Sequence, residues 1–211
     1  MFRVFLPHEL PCAIGASPFR IKGMAYRQTW ESCADLPGGP AAVAARLPGG
    51  EAGAFLQQTF LAGGWYDVLP MIWLDAAKAE VAGLPYERSL AQQSARHARA
   101  TLGGIYQAFL RLISAGLTAS VLPRLMQTYY DFGELTTSHA APDHVSVVVR
   151  GIPLLIADWY MICSGAFVVE ALSLGGAHGP SASWGTPKAS GTRDRFALTN
   201  LTCHLRWGGA R

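Results

Sequence analysis

The clearest pattern of hydrophobic and polar positions lies between Ser89 and Gly116. Ser89 with Gln92 has the spacing of a capping box, and glycine is a common residue at the end of a helix. Apolar residues recur at intervals of three and four in this stretch: Leu102, Ile105, Phe109, Leu112 and Ile113. This spacing predicts a single long helix with one apolar stripe, on which the other elements pack.

A second helix is predicted after Gly63 and Gly64, with Asp67 as its cap and Pro70 in its first turn. The pattern assigns Leu69, Ile72, Trp73 and Ala76 to its buried face. Asp75 and Lys78 are expected to face solvent as an i, i+3 ion pair. Further helices are predicted over residues 120–130 and from Pro153 to the glycines at 175–176.

Strand patterns dominate the C-terminal third. Val145, Val147 and Val149 alternate with Ser146 and Arg150, and residues 134–140 can form the hairpin partner of this strand. The segment from Phe196 to Trp207 alternates again and predicts a closing antiparallel strand. The fold class expected is therefore α+β, with long helices packed on one face of a twisted antiparallel sheet.

The domain organisation expected from the sequence is simple. Residues 1–19 contain three prolines without periodicity and are predicted to form an irregular arm. Residues 20–207 are predicted to form one domain, and 208–211 a short tail. Within the domain, residues 176–193 are rich in Gly, Ser, Pro and Ala, which indicates a flexible loop.

Composition narrows the classes of protein. The chain has 211 residues, of which 50% are hydrophobic and 15% charged, so it can bury a sizeable core. Its formal net charge of +3 is too small to indicate nucleic-acid binding. The apolar run Trp159–Val169 is too short to span a membrane, and no secretory signal is recognised. The four cysteines form no C-x-x-C pair, which favours a reducing, cytoplasmic location.

Established catalytic and metal-binding motifs are missing from the sequence. It contains no G-x-x-x-x-G-K-[ST] loop, no G-x-S-x-G turn and no H-E-x-x-H pair. His139 and His144 could meet across a hairpin and share a metal ion, but solvated turn residues are the favoured interpretation. Asp131 and Glu134 are likewise interpreted as residues of a solvated loop. No metal and no catalytic residue are therefore expected.

Two sets of residues are candidates for ligand binding. An apolar pocket between the helices and the sheet would involve Trp73, Tyr106, Phe109, Trp159 and Cys163, although filling of the core explains most of these side chains equally. His97 lies between Arg96 and Arg99 on the long helix, where it could ligate haem iron with the arginines near the propionates. An ordinary solvent-facing helix surface is the alternative interpretation of this trio.

Four sequence segments together resemble a known family. They are GGWYDVLPMIWLDAA at 63–77, LPRLMQTYYDFGE at 122–134, VRGIP at 149–153 and FALTNLTCHLRW at 196–207. Their order resembles an uncharacterised, mainly myxobacterial family. It is also similar to the superfamily of TRAPP subunits, vinyl-reductase-like domains and haem–nitric-oxide-binding domains. The resemblance implies a TRAPP-like α+β domain, often dimeric, that binds small apolar ligands or partner proteins. The Tyr-x-Ser-x-Arg clamp for haem propionates is missing here.

The function expected from the sequence is that of a non-enzymatic, cytoplasmic regulatory or scaffold module in signalling. It would act as a homodimer or bind a partner protein, would have room for a small apolar ligand, and would carry no cofactor. Two alternatives stay open at this point. One is a haem- or tetrapyrrole-binding sensor that uses His97, and the other is an enzyme of an unrecognised type.

Overall fold

The computed structural model describes residues 4–103 and 126–208 of the chain. The elements, in order, are β1 (Arg20–Lys22), α1 (Gly23–Glu31), α2 (Gly39–Ala44), α3 (Gly50–Leu56), β2 (Trp65–Asp67), α4 (Met71–Ala82), α5 (Tyr86–Leu102), β3 (Glu134–Ala141), β4 (His144–Pro153), α6 (Ala157–Leu174), β5 (His178–Trp184), β6 (Lys188–Arg193) and β7 (Phe196–Gly208). They fall into two compact units: Met1–Leu90 with Tyr129–Asp131, and Ala91–Thr128 with Phe132–Arg211.

The first unit is helical around a two-stranded antiparallel ladder of β1 and β2. Its core is a cluster of aromatic rings, in which Tyr26 stacks on Phe60 with the centroids 4.2 Å apart and Tyr66 packs edge-on. Asp67, the last residue of β2, is buried and accepts hydrogen bonds from Ser17 N, Ser17 Oγ and Leu69 N. The polar network therefore joins the segment before β1 to the start of α4.

The second unit contains a five-stranded antiparallel sheet in the order β3-β4-β7-β5, with β6 also paired to β7. Val145, Val147 and Val149 of β4 are buried on one face, as are Cys203 and Leu205 of β7. Helix α6 packs against this sheet, with Trp159, Tyr160 and Phe167 among its buried residues. The α+β class, the β3–β4 hairpin and the closing strand predicted from the sequence are confirmed.

The predicted start of the long helix is wrong. Helix α5 begins at Tyr86, directly after Pro85, and Ser89 N already donates an intrahelical hydrogen bond to Pro85 O. Proline fixes the entry dihedral of a helix without losing a needed hydrogen bond, which outweighs the capping-box pattern at Ser89. The predicted end at Gly116, and the apolar positions 105–113, lie outside the described residues.

The outward-facing pair predicted on α4 is also wrong. Asp75 is only 3% and Lys78 only 5% exposed, because α4 is covered on nearly all sides. The Lys78 ammonium donates to Ser32 Oγ at 2.6 Å, which satisfies part of its hydrogen-bonding capacity. A helix that is buried all round has no polar face, and a charge pattern alone does not reveal this.

The predicted flexible loop at 176–193 is wrong as well. Residues 178–184 and 188–193 form β5 and β6, which pair with opposite ends of β7. Gly, Ser and Ala are weak strand formers, so the ladder with β7 imposes the strand conformation here. The described part of the N-terminal arm has one short 3-10 turn at Pro7–Glu9, yet Phe5 and Phe19 are buried in the first unit.

One helical stretch, Leu154–Leu174, is long and apolar enough to qualify by length and composition as a membrane span. More than half of its window is buried within the fold. This burial is the arrangement of a core helix, as the sequence predicted for this region.

Candidate functional site

The second unit contains a small apolar cavity between the sheet and α6. Its volume is about 30 Å³. Its walls come from every layer of the unit: Met126, Leu135, Val147, Val149, Tyr160, Ser164, Val168, Trp184, Cys203 and Leu205. A cavity needs roughly 10–15 Å³ to hold one water molecule, and a cavity with apolar walls stays dry or takes an apolar guest.

The polar groups at the cavity wall do not make it a polar site. Ser164 Oγ donates to the carbonyl oxygen of Tyr160 one turn earlier on α6, so its hydroxyl proton is already used. Burial raises the pKa of the Cys203 thiol to about 12 and also raises the pKa of Tyr160. Both groups are therefore neutral at physiological pH, and the cavity offers no charge to a ligand.

The ligand-binding residues predicted from the sequence are not brought together here. Trp73 belongs to the first unit, where its indole N–H donates to Phe5 O at 2.7 Å. Trp159 and Cys163 are buried on α6 but do not line the cavity. Tyr106 and Phe109 lie outside the described residues. The prediction of an apolar pocket between helix and sheet has a counterpart in the structure, but with different walls.

Sequence reasoning missed the residues that do form the cavity. Tyr160 and Ser164 lie one turn apart on α6, and Trp184 ends β5, a segment interpreted from its composition as a loop. Gly165 lies against this tryptophan, because a Cβ there would come within 3.1 Å of the indole nitrogen. The alternation of Ala182 and Trp184 with serine and glycine was the available strand signal.

His97 lies in the second half of α5 and is partly buried. This half of the helix is held against α6 by two contacts. Ser94 Oγ donates to Cys163 O at 2.6 Å, and the Arg99 guanidinium forms two hydrogen bonds with the Glu170 carboxylate, at 2.7 and 3.0 Å. Arg99 is thus engaged by a carboxylate, while Arg96 is exposed.

The cavity is too small for a haem, and His97, the candidate haem ligand, lies outside it. Imidazole is a common protein ligand of haem iron, and His97 is the one histidine on an α-helix among the described residues. Pockets that enclose ligands of ordinary size measure roughly 300–1,000 Å³, far more than the cavity under the sheet. His97 does not line that cavity.

A wider groove of about 690 Å³ opens in the first unit, along α1 and α2 and the segment after α3. Arg27 and Glu31 form an exposed i, i+4 ion pair at its wall, and the Trp30 indole N–H is already bonded to Leu56 O. Asp131 and Glu134, considered as a carboxylate pair, are both exposed, but Glu134 begins β3 and is not a loop residue, and Asp131 accepts a hydrogen bond from Arg20 N at 2.6 Å.

No protein-family model matches the chain, and no curated protein matches it. Solved structures share its fold. An Fe(II) unliganded H-NOX protein mutant from K. algicida aligns with a TM-score of 0.56 and 10% identity, covering 89% of this chain and 97% of that one. An I5F mutant of T. Tengcongensis H-NOX gives 0.54 and 11%, covering 90% and 99%.

An oxygen complex of an oxygen-binding H-NOX domain related to soluble guanylate cyclases also aligns, with a TM-score of 0.56, 8% identity and coverage of 89% and 93%. The resemblance to haem–nitric-oxide-binding domains is therefore confirmed at the level of the fold. Kinship with the myxobacterial family and with TRAPP or vinyl-reductase-like domains stays a prediction.

The expectation that no cofactor is involved is wrong for this fold. The structures that share it are described as Fe(II) and oxygen-complexed H-NOX proteins, and one comes from work on heme redox potential and porphyrin distortion. The sequence argument depended on the interpretation of Arg96, His97 and Arg99 as an ordinary helix surface and on the missing Tyr-x-Ser-x-Arg clamp. A missing clamp removes one way of holding propionates and says nothing about the iron.

Proposed function

We propose that this chain is a haem-binding sensor domain. The observation that carries the proposal is the H-NOX fold, which covers about nine-tenths of this chain and nearly all of the oxygen-binding and Fe(II) proteins it resembles.

His97 is the side chain that would ligate the iron. It is partly buried, and it lies on a helix that Ser94 and Arg99 fix to α6. A ligand on a braced helix can couple a change at the iron to a movement of that helix. Bound haem would supply an iron with an open coordination position for a diatomic gas.

The propionates would need a different partner from the clamp of haem–nitric-oxide-binding domains. Arg99 already forms a bidentate pair with Glu170, so Arg96, which is exposed one residue before His97, is the arginine to test first.

The test is reconstitution of the purified protein with haem, followed by absorption spectroscopy. We expect a Soret band in the wild-type protein, its loss in His97→Ala, and its return when imidazole is added to that variant. His8→Ala is the matched control, since His8 is exposed in the Pro7–Glu9 turn, and should retain the wild-type spectrum. A wild-type protein that shows no Soret band after haem is supplied would refute the proposal.

A second candidate function follows from the cavity under the sheet. Its apolar walls and volume of about 30 Å³ suit a small apolar molecule, such as a noble gas atom or a diatomic gas. Xenon is a suitable probe because its NMR chemical shift reports on binding. Val147→Leu should fill the cavity and abolish the shift, whereas Val148→Leu, on the opposite face of β4, should leave it unchanged. Equal shifts in both variants would exclude this site.

The regulatory part of the proposal includes a second chain, either a copy of this one or a partner protein. A domain that binds a signal must pass its state to something else. Native mass spectrometry of the haem-loaded protein reports stoichiometry and retained ligand together. A monomer in both the loaded and the haem-free states would remove homodimerisation from the proposal.

A further inference from the structure

Three polar side chains meet on the face of the sheet opposite to the cavity. His144 and Ser146 are two residues apart on β4, so they project from the same face. His204 on β7 is the Cα partner of Ser146. Its side chain projects from the face of β7 opposite to that of the buried Cys203 and Leu205. The strand register therefore places one hydroxyl beside two imidazoles.

Both imidazoles point a ring nitrogen at the same atom. Ser146 Oγ lies 2.8 Å from His204 Nδ1 and 3.1 Å from His144 Nε2. The ring centroids are 5.9 Å apart. A hydroxyl has one proton, so it can donate to only one of the two nitrogens and must accept from the other. Ser146 is only 5% exposed, although both histidines are partly accessible.

We propose that His144 and His204 form a binding site for a divalent transition-metal ion such as Zn²⁺ or Cu²⁺. Imidazole nitrogens bind such ions at about 2.0–2.1 Å, so each ring would need to move by only about 1 Å toward the point that Ser146 Oγ now occupies. The ion would displace the serine hydroxyl from between the rings. This pair differs from His139 with His144, the pair considered from the hairpin pattern.

Water can supply further ligands on one side of this pair. Among the described side chains, which do not include that of His139, no group of three His, Cys, Asp or Glu is arranged to hold a metal. A groove of about 430 Å³ opens beside His144, lined also by Asp143, Arg206 and Trp207. Solvent reaches His144 through this groove. The two histidines lie on β4 and β7, whereas His97 lies on α5, so the proposed metal ligands are not the proposed haem ligand.

Calorimetric titration of the haem-free protein with Zn²⁺ tests the proposal. We expect one ion per chain, with binding weakened at least about tenfold in His144→Ala and in His204→Ala. His178→Ala is the control, because His178 is exposed on β5 and outside the cluster. Ser146→Ala keeps both imidazoles and should still bind.

A second measurement avoids dependence on variants that fold poorly. Cu²⁺ bound to the wild-type protein should give an electron paramagnetic resonance spectrum with couplings to two imidazole nitrogens. The proposal is overturned if wild-type protein binds neither ion, or if the double variant His144→Ala, His204→Ala binds Zn²⁺ as tightly as the wild type. In either case the cluster is a hydrogen-bond network only.

Discussion

Each of the four cysteines is a free thiol, and burial sets the reactivity of three of them. Burial raises the pKa of Cys33 to about 11 and that of Cys203 to about 12, and Cys163 is buried on α6. Thiolate is the reactive form, so these groups are inert at neutral pH while the protein is folded.

Labelling with iodoacetamide should therefore distinguish the cysteines. Burial also raises the pKa of Cys12, but this residue is partly exposed and should react first in the native protein. Mass spectrometry should find one label per chain early in the reaction and four after unfolding in denaturant. Rapid native labelling of Cys203 would show that the space under the sheet is open to solvent.

Asp67 makes stability depend on pH in an unusual direction for a carboxylate. Burial raises its pKa, while the hydrogen bonds from Ser17 and Leu69 oppose that rise. The folded state thus holds this proton more tightly than the unfolded state does. The contribution of Asp67 to the free energy of unfolding should fall as the pH rises from about 3.9, the unperturbed value, through its raised pKa.

Asp67→Asn removes the titration and keeps the shape of the side chain. As the pH rises through that range, the free energy of unfolding of the wild type should fall relative to that of the variant. Urea unfolding at several pH values measures both. A difference that is constant with pH would mean that Asp67 keeps an unperturbed pKa. Asp67→Ala should cost about 1–3 kcal/mol, because it leaves buried N–H donors without an acceptor.

At the scale of elements, a comparison of two glycines in or next to the sheet distinguishes the cost of backbone strain from the cost of crowding. Gly133, before β3, and Gly151, in the β4 bulge, have φ values of +81° and +74°. A Cβ at Gly133 would lie 2.9 Å from Ile152 Cδ1, whereas a Cβ at Gly151 would meet nothing within 4 Å. Both positions favour glycine, but only one is also crowded.

We expect Gly151→Ala to cost about 1 kcal/mol, the lower end of the cost of a left-handed non-glycine residue. Gly133→Ala should cost about 1–2 kcal/mol more, because Ile152 is buried and the core beside it must shift. Thermal unfolding of the two variants gives the comparison. Equal losses would show that the ladder near Gly133 relaxes freely.

Elements with a strong local period were predictable from the sequence. The local sequence pattern alone predicts the conformation of three such elements: the valine-rich β4, the alternating β7 and the apolar α6. β5 and β6 were not predicted, because apart from the alternation at Ala182 and Trp184 their composition is typical of a loop, and the hydrogen bonds with β7 outweigh it. The prediction that Lys78 faces solvent was wrong for the same kind of reason, because only tertiary contacts bury it.

At the scale of the whole molecule, the sequence predicted the fold class, one family resemblance and the candidate haem ligand His97, but neither the cavity nor the histidine pair on the sheet. The cavity walls and the His144–His204 pair are each assembled from residues far apart in sequence, through strand register and helix packing. No local sequence pattern predicts that these distant residues lie close together in the fold. The two compact units were also not expected, because the predicted boundaries followed composition and not contact density.

Haem binding should stabilise the protein. A ligand that binds only the folded state adds about 2.7 kcal/mol at a hundredfold excess over Kd, which corresponds to a rise in Tm of about 5–10 °C for a domain of this size. Differential scanning fluorimetry with and without haem measures this rise. His97→Ala should show no rise, and a rise of equal size in that variant would place the haem elsewhere.

The order of pairing in the sheet has a consequence for how this protein is made on the ribosome. Strand β7 lies between β4 on one side and β5 with β6 on the other, yet it comes after all of them in the chain. Until it is synthesised, the β3–β4 hairpin keeps an open edge and the apolar side of α6 is incompletely covered. Nascent chains stalled before residue 196 should therefore be the species that chaperones recognise.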